Sequence, residues 1–156
     1  MNIGMIIYSE TGNTLSVAEK LKKRLVAAGH TVTIERVTVD GNRRQQRSAD
    51  ITFGSVPDTT PYDALVFGSP VQAFSLSLPM AGYLKQVGSL DGKQVACLVS
   101  EALPYPWMGG NRAIRQMKKL CESKGVSIIG SGIVNWAKWR RDITTQEAVN
   151  ALSRAF

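Results

Sequence analysis

The chain has 156 residues, 44% of them apolar and 20% charged, which is enough for one domain with a substantial core and not comfortably for two. Nineteen Lys and Arg face twelve Asp and Glu, giving a net charge of +7, and a single histidine, His30, excludes a histidine-rich metal site and argues against a histidine-based triad. No apolar run reaches membrane-spanning length, no N-terminal signal pattern is visible, and Cys97 and Cys121 form neither a disulfide framework nor a metal motif, so a reduced cytoplasmic setting is expected.

Met1–Tyr8 reads as a buried strand, and Asn13–Ala28 as a helix on Leu15, Ala18, Leu21 and Leu25, closed by Gly29. Between them lies Ser9-Glu10-Thr11-Gly12-Asn13-Thr14, a small hydroxyl-rich loop. The first turn of a helix leaves backbone N–H groups without partners, and its dipole favours negative charge there. Ser9, Thr11, Asn13 and Thr14 add side-chain donors. The loop has no Lys or Arg, which suits a terminal phosphate monoester rather than a polyphosphate with a metal. A Gly-Lys-Ser/Thr ending is missing, as are the three spaced glycines of a dinucleotide fingerprint. A plain helix capped by Thr11 or Asn13 is the alternative.

Thr31–Val37 alternates as a second strand. Thr38–Pro61 is polar and without a clear period, and is expected to be a long loop with at most a short helix. Asp63–Gly68 is a third, fully buried strand. Leu78–Val87 is helical, started by Ser77 with Pro79 in its first turn. Gln94–Val99 is a fourth strand, Gly110–Ser123 a helix, Ser127–Val134 a fifth strand and Thr145–Ala155 a final helix. Five buried strands with intervening helices imply an α/β three-layer sandwich, a parallel sheet covered by helices on both faces.

The pattern Ser-x-Thr-Gly-Asn-Thr after the first strand resembles the phosphate loop of the flavodoxin family, whose members bind flavin mononucleotide (FMN). Two further loops extend the resemblance over nearly the whole chain. Gly68-Ser69-Pro70-Val71 follows the third strand, and Gly109-Gly110 leads into Asn111-Arg112-Ala113 after the fourth. The resemblance implies a five-stranded sheet of order 2-1-3-4-5, with the ligand beyond the carboxyl ends of the strands. The fifth strand runs into its helix without a long insertion, as in the short-chain type. On this resemblance Ser9, Glu10, Thr11, Gly12, Asn13 and Thr14 hold the phosphate. Pro70, Val71, Gln72, Ala73 and Phe74 line one side of the flavin ring. Ser100, Glu101, Ala102 and Leu103, with Trp107, Gly109 and Gly110, line the other. Many family members carry a glycine in the loop after the third strand, where a peptide turns to meet the reduced flavin N5. Here Gln72, Ala73 or Phe74 must make that turn at a steric cost.

The implied function is an electron carrier working between redox partner proteins. A reductase using NAD(P)H to reduce quinones or similar small acceptors is the alternative, and a non-redox binding module with a basic face is a third reading. Typical electron-carrier flavodoxins are acidic, whereas the excess base here lies in Arg43, Arg44 and Arg47, in Arg112, Arg115, Lys118 and Lys119, and in Lys138, Arg140 and Arg141. Such a surface suits an acidic partner; nucleic acid is the less favoured reading. The segment Trp136-Ala137-Lys138-Trp139-Arg140-Arg141 is open to three readings. It stacks on a partner, it forms a subunit interface, or Trp136 packs beneath the strand-four loop while Trp139 covers the final helix.

Overall fold

The computed structural model describes residues 1–41 and 51–156; Arg43, Arg44 and Arg47 lie outside the described residues. Five long strands form one parallel sheet: β1 (Asn2–Ile7), β2 (Thr31–Arg36), β5 (Ala64–Gln72), β7 (Gln94–Glu101) and β8 (Ile128–Asn135). Their spatial order is β2-β1-β5-β7-β8, which is 2-1-3-4-5 when the long strands are counted in sequence. Helices α1 (Asn13–Ala27), α2 (Leu78–Gln86), α3 (Gly110–Glu122) and α4 (Arg141–Ala155) cross between them or close the chain.

Alternation along the buried strands builds two apolar layers. Ile6, Leu65, Phe67, Val95, Cys97 and Val99 point to the face covered by α2 and α3, where Met80, Tyr83 and Met117 are buried. Ile3, Met5, Ile7, Val66, Ala96 and Leu98 point to the other, against Val17, Leu21 and Leu25 of α1 and Val149 and Leu152 of α4. Cys97 and Cys121 are free and buried side by side in the first layer, and thiol contact and burial push the Cys97 pKa well up, so it stays a neutral packing group. Helix α1 ends in a Schellman turn. The Gly29 N–H donates to Val26 and the His30 N–H to Leu25, with Gly29 at φ 96°. Ser77 caps α2 by accepting from the Met80 N–H.

Three segments depart from the sequence reading. Within the polar stretch after β2, expected to be a loop, β3 (Thr38–Val39) pairs antiparallel with β4 (Phe53–Ser55) in a two-stranded ribbon. Strand β5 runs on to Gln72 because Val71 and Gln72 pair with β6 (Ser75–Leu76) in a hairpin. Helix α4 starts at Arg141, four residues before the expected Thr145.

The β5–β6 hairpin has a two-residue turn, Ala73 at φ 50° and Phe74 at φ 60°. Positive φ at both central residues is the type I′ geometry that suits the twist of a hairpin and normally takes Asn-Gly. A side chain in this region costs roughly 1–2 kcal/mol per residue. The strain is held from outside. Gln116 of α3 accepts from the Ser75 hydroxyl (2.9 Å) and from the Leu76 N–H (2.8 Å). Ala73→Gly is expected to stabilise the fold by about 0.5–1 kcal/mol after the unfolded chain's extra freedom is subtracted. Urea denaturation should show a raised midpoint at unchanged slope; an unaltered or lowered midpoint would mean that the turn is not strained.

Candidate functional site

The strand order reverses between β1 and β5, and such a point opens a crevice beyond the carboxyl ends of the strands. The register brings Ile7 beside Gly68, Pro70 beside Ser100 and Glu101 beside Asn135. The loops that follow these positions therefore share one end of the sheet.

The first loop turns into α1 through Gly12, which caps the helix in the left-handed region (φ 91°). Gly12 has no side chain to cap with, and neither Thr11 nor Asn13 caps α1. Ser9 folds its hydroxyl inside the loop and accepts from the N–H groups of Gly12 (3.1 Å) and Leu15 (3.3 Å). The N–H groups of Thr11, Asn13 and Thr14 have no hydrogen-bond partner among the described residues. Thr14 is buried, and its hydroxyl shares a 2.7 Å hydrogen bond with Ser100, tying α1 to β7. Arg36, at the end of β2, donates to the Ser9 carbonyl (3.1 Å) and brings a cation beside a loop that carries none of its own.

The β5–β6 hairpin forms the second wall. Gln72 reaches across to the first loop and donates to the Glu10 carboxylate at 2.5 Å. Gly109 supports the hairpin from behind. A Cβ there would lie 2.8 Å from Val71 Cγ1 and 2.9 Å from Phe74 Cα, and its φ of 121° is itself a glycine conformation.

The third wall carries Glu101, which is 3% exposed. Each carboxylate oxygen takes a donor, Oε1 from Asn135 Nδ2 (2.6 Å) and Oε2 from the Gly110 N–H (3.1 Å). Gly110 opens α3, so the carboxylate sits where the helix dipole favours an anion. Asn135 spends its second N–H on the Leu103 carbonyl, which fixes the orientation of its amide, and its Oδ1 is a buried acceptor with no partner among the described residues. Burial pushes the Glu101 pKa up, opposed by the hydrogen bonds from Asn135 and Gly110 and by the Arg140 charge. A raised folded-state pKa gives stability that is complete below the unfolded value and is lost as pH rises through the folded value. Glu101→Gln removes that titration. Either amide orientation sets an N–H₂ against a donor, at a cost of roughly 1–3 kcal/mol. Urea denaturation across pH should show the wild type's advantage over Glu101→Gln largest in acid and shrinking towards neutrality. An advantage that grows with pH would mean the buried anion is favoured over the acid.

Two adjoining cavities open between these walls. One, of about 220 Å³, is lined by Glu10, Thr11, Asn13, Pro70, Val71, Gln72, Ser100, Glu101 and Ala102. The other, of about 190 Å³, is lined by Val71, Ala73, Phe74, Glu101, Ala102, Leu103 and Met108. The sequence-derived set thus converges on one cleft. Ser9, Gly12, Thr14, Gly109 and Gly110 line neither cavity. Trp107 lines neither cavity; it is 72% exposed and stacks on Tyr105. Trp136 is half-buried against the α1–α4 layer, whereas Trp139 is 62% exposed and meets Tyr105 edge-on. Asn135, Gln116 and Arg36 were not foreseen, because each reaches the site across the fold, and Met108 was passed over in the loop after β7. Among the described residues no group of His, Cys, Asp and Glu could hold a metal ion. No helix in them is long and apolar enough to cross a membrane.

No family model matches the chain. Solved structures do. Flavodoxin 2 of Bacillus cereus superposes with a TM-score of 0.71 at 19% identity, over 99% of this chain and 97% of that one. The flavodoxin of Streptococcus pneumoniae TIGR4 gives 0.69 at 14% identity over 100% of both chains. A flavoprotein of Lactobacillus acidophilus, solved in complex with FMN, gives 0.62 at 17% identity over 94% and 97%. With this strand order, helices on both faces and full-length superposition, the chain has the flavodoxin fold.

Proposed function

We propose that this chain binds FMN in the cleft and carries electrons between redox partner proteins. The observation that carries the proposal is the placing of three unpaired amides, of Thr11, Asn13 and Thr14, at the start of α1 beside a cleft with two close walls. A phosphate monoester fits this donor set, since the amides and the hydroxyls of Thr11 and Ser9 can all donate to its oxygens. Gly12 leaves room for it; a Cβ there would meet nothing within 4 Å.

Pro70, Val71 and Gln72 would cover one face of the ring, and Ser100, Glu101 and Ala102 the other. When bound, the flavin supplies reversible electron uptake, and the chain positions it and sets its surroundings. Glu101 brings a carboxylate to the floor of the cleft and disfavours negative charge there. The basic surface acts in the opposite direction. The tight Ala73–Phe74 turn already has the positive φ angles that a glycine would otherwise provide.

An anaerobic reductive titration of the FMN-loaded protein, followed by visible absorbance, tests the carrier reading. Two resolved one-electron steps are expected. A single two-electron step would contradict the carrier and favour the NAD(P)H-dependent reductase. Failure to retain any flavin would remove both and leave the non-redox module.

A further inference from the structure

Besides Phe74 of the hairpin turn, three aromatic side chains stand in the open beside the cleft. Trp107 is 72% exposed, Trp139 62% and Tyr105 39%. They come from two separate loops, after β7 and after β8, yet form one cluster. The Tyr105 and Trp107 rings are stacked at 5.9 Å and 6°, and Trp139 meets Tyr105 edge-on at 6.0 Å and 69°. The Arg140 guanidinium lies 5.4 Å from the Tyr105 ring centre and 5.7 Å from that of Trp139. The rings hold one another in place, so little freedom is left to lose on binding.

Exposed aromatics gathered this way mark a contact surface, and Trp, Tyr and Arg are the residues that carry interface energy. None of the three lines a cavity of the cleft, so the surface is not the concave pocket that a small molecule needs. A large partner is required, and charge selects its sign. The two segments, 102–112 and 136–142, carry Arg112, Lys138, Arg140 and Arg141 against one carboxylate, Asp142. Leu103, between this cluster and the cleft, lines the second cavity. A protein seated on the rings therefore covers the cleft mouth.

We infer that the Tyr105–Trp107–Trp139 face docks an acidic electron-transfer protein over the mouth of the cleft. The redox part of this inference rests on the function proposed above; the docking part rests on the face alone. Aromatic anchors provide the contact, and the basic flank steers the approach and makes it salt-dependent.

The test is binding of the FMN-loaded protein to an immobilised acidic [2Fe–2S] ferredoxin and, beside it, to a basic c-type cytochrome. Binding to the ferredoxin alone is expected, weakened about tenfold or more between low and high salt. Trp139→Ala and Lys138→Glu should each weaken it further, Trp139→Ala by about tenfold or more, as expected for an interface anchor. Both side chains are exposed, so folding is preserved, and flavin absorbance reports FMN retention separately. Loss of flavin with binding intact would count against the redox function and leave the docking face standing. Binding of both variants as tight as that of the wild type, preference for the cytochrome, or no binding at all would overturn the inference. Tighter binding of a single-stranded oligo-dT, lost in the same variants, would also overturn it and give the face to nucleic acid.

Discussion

An Asn13→Asp variant is expected to hold FMN about 100-fold more weakly while folding slightly more firmly than the wild type. The two effects share one cause. Asn13 is the first residue of α1, and that helix has no acidic residue in its first turn. A carboxylate there meets the positive end of the helix dipole and gains about 0.3–1 kcal/mol. The same charge sits among the amides proposed for the phosphate. Repulsion between a carboxylate and a phosphate dianion at ~6 Å is about 5 kcal/mol at an effective dielectric near 20. Screening reduces this, and about 100-fold in Kd is the remaining effect. Quenching of flavin fluorescence measures the affinity, and riboflavin, which lacks the phosphate, is the control. Equal losses for FMN and riboflavin would show that Asn13 acts on the ring or on the fold, and not on the phosphate.

Gly109→Ala is the second large effect, with an expected loss of about 3 kcal/mol or more in stability. Two penalties act at this residue. Its φ of 121° is strained for any residue with a Cβ, and the added carbon would fall 2.9 Å from Phe74 Cα and 3.1 Å from Phe74 C. Those are backbone atoms of a turn that Gln116 and β5 hold in place, so they cannot step aside cheaply. Relief requires the hairpin to shift into the cleft, and FMN affinity should fall together with stability. Gly88→Ala is the matched control, because a Cβ at Gly88 meets nothing within 4 Å. Thermal or urea unfolding distinguishes the two. A Gly109→Ala protein as stable as Gly88→Ala would mean that the hairpin is not braced by this contact.

The elements that could be read from the sequence are those whose pattern is local. Ile3 to Ile7, Ala64 to Phe67 and Val95 to Val99 are apolar because both of their faces are buried, and each is a strand of the sheet. Leu21 and Leu25 mark α1 because one helical face packs on that sheet. The β5–β6 hairpin was not legible. Its turn is Ala-Phe, without the Asn or Gly that normally announces one, and its support is a glutamine 40 residues further along the chain. The β3–β4 ribbon was hidden by polar composition, since a small ribbon at the surface needs no long apolar run.

The site divides in the same way. The first loop announces itself by a glycine and hydroxyls at a helix start. Glu101 was legible by its place after the fourth strand. Its burial and its two hydrogen-bond donors were not, because Asn135 comes from another strand and Gly110 from a helix terminus. Trp107, expected against the ring, is exposed and stacked on Tyr105, a contact within its own loop that the sequence did not announce.

The most direct test of the FMN site is calorimetric titration of the flavin-free chain with FMN and, separately, with riboflavin. If the α1 amides hold a phosphate and the two walls hold a ring, FMN binds with one-to-one stoichiometry. Riboflavin then binds about 100-fold more weakly or not at all, the phosphate contacts being charge-assisted hydrogen bonds. No heat of binding with FMN, or equal affinity for the two flavins, would contradict the account.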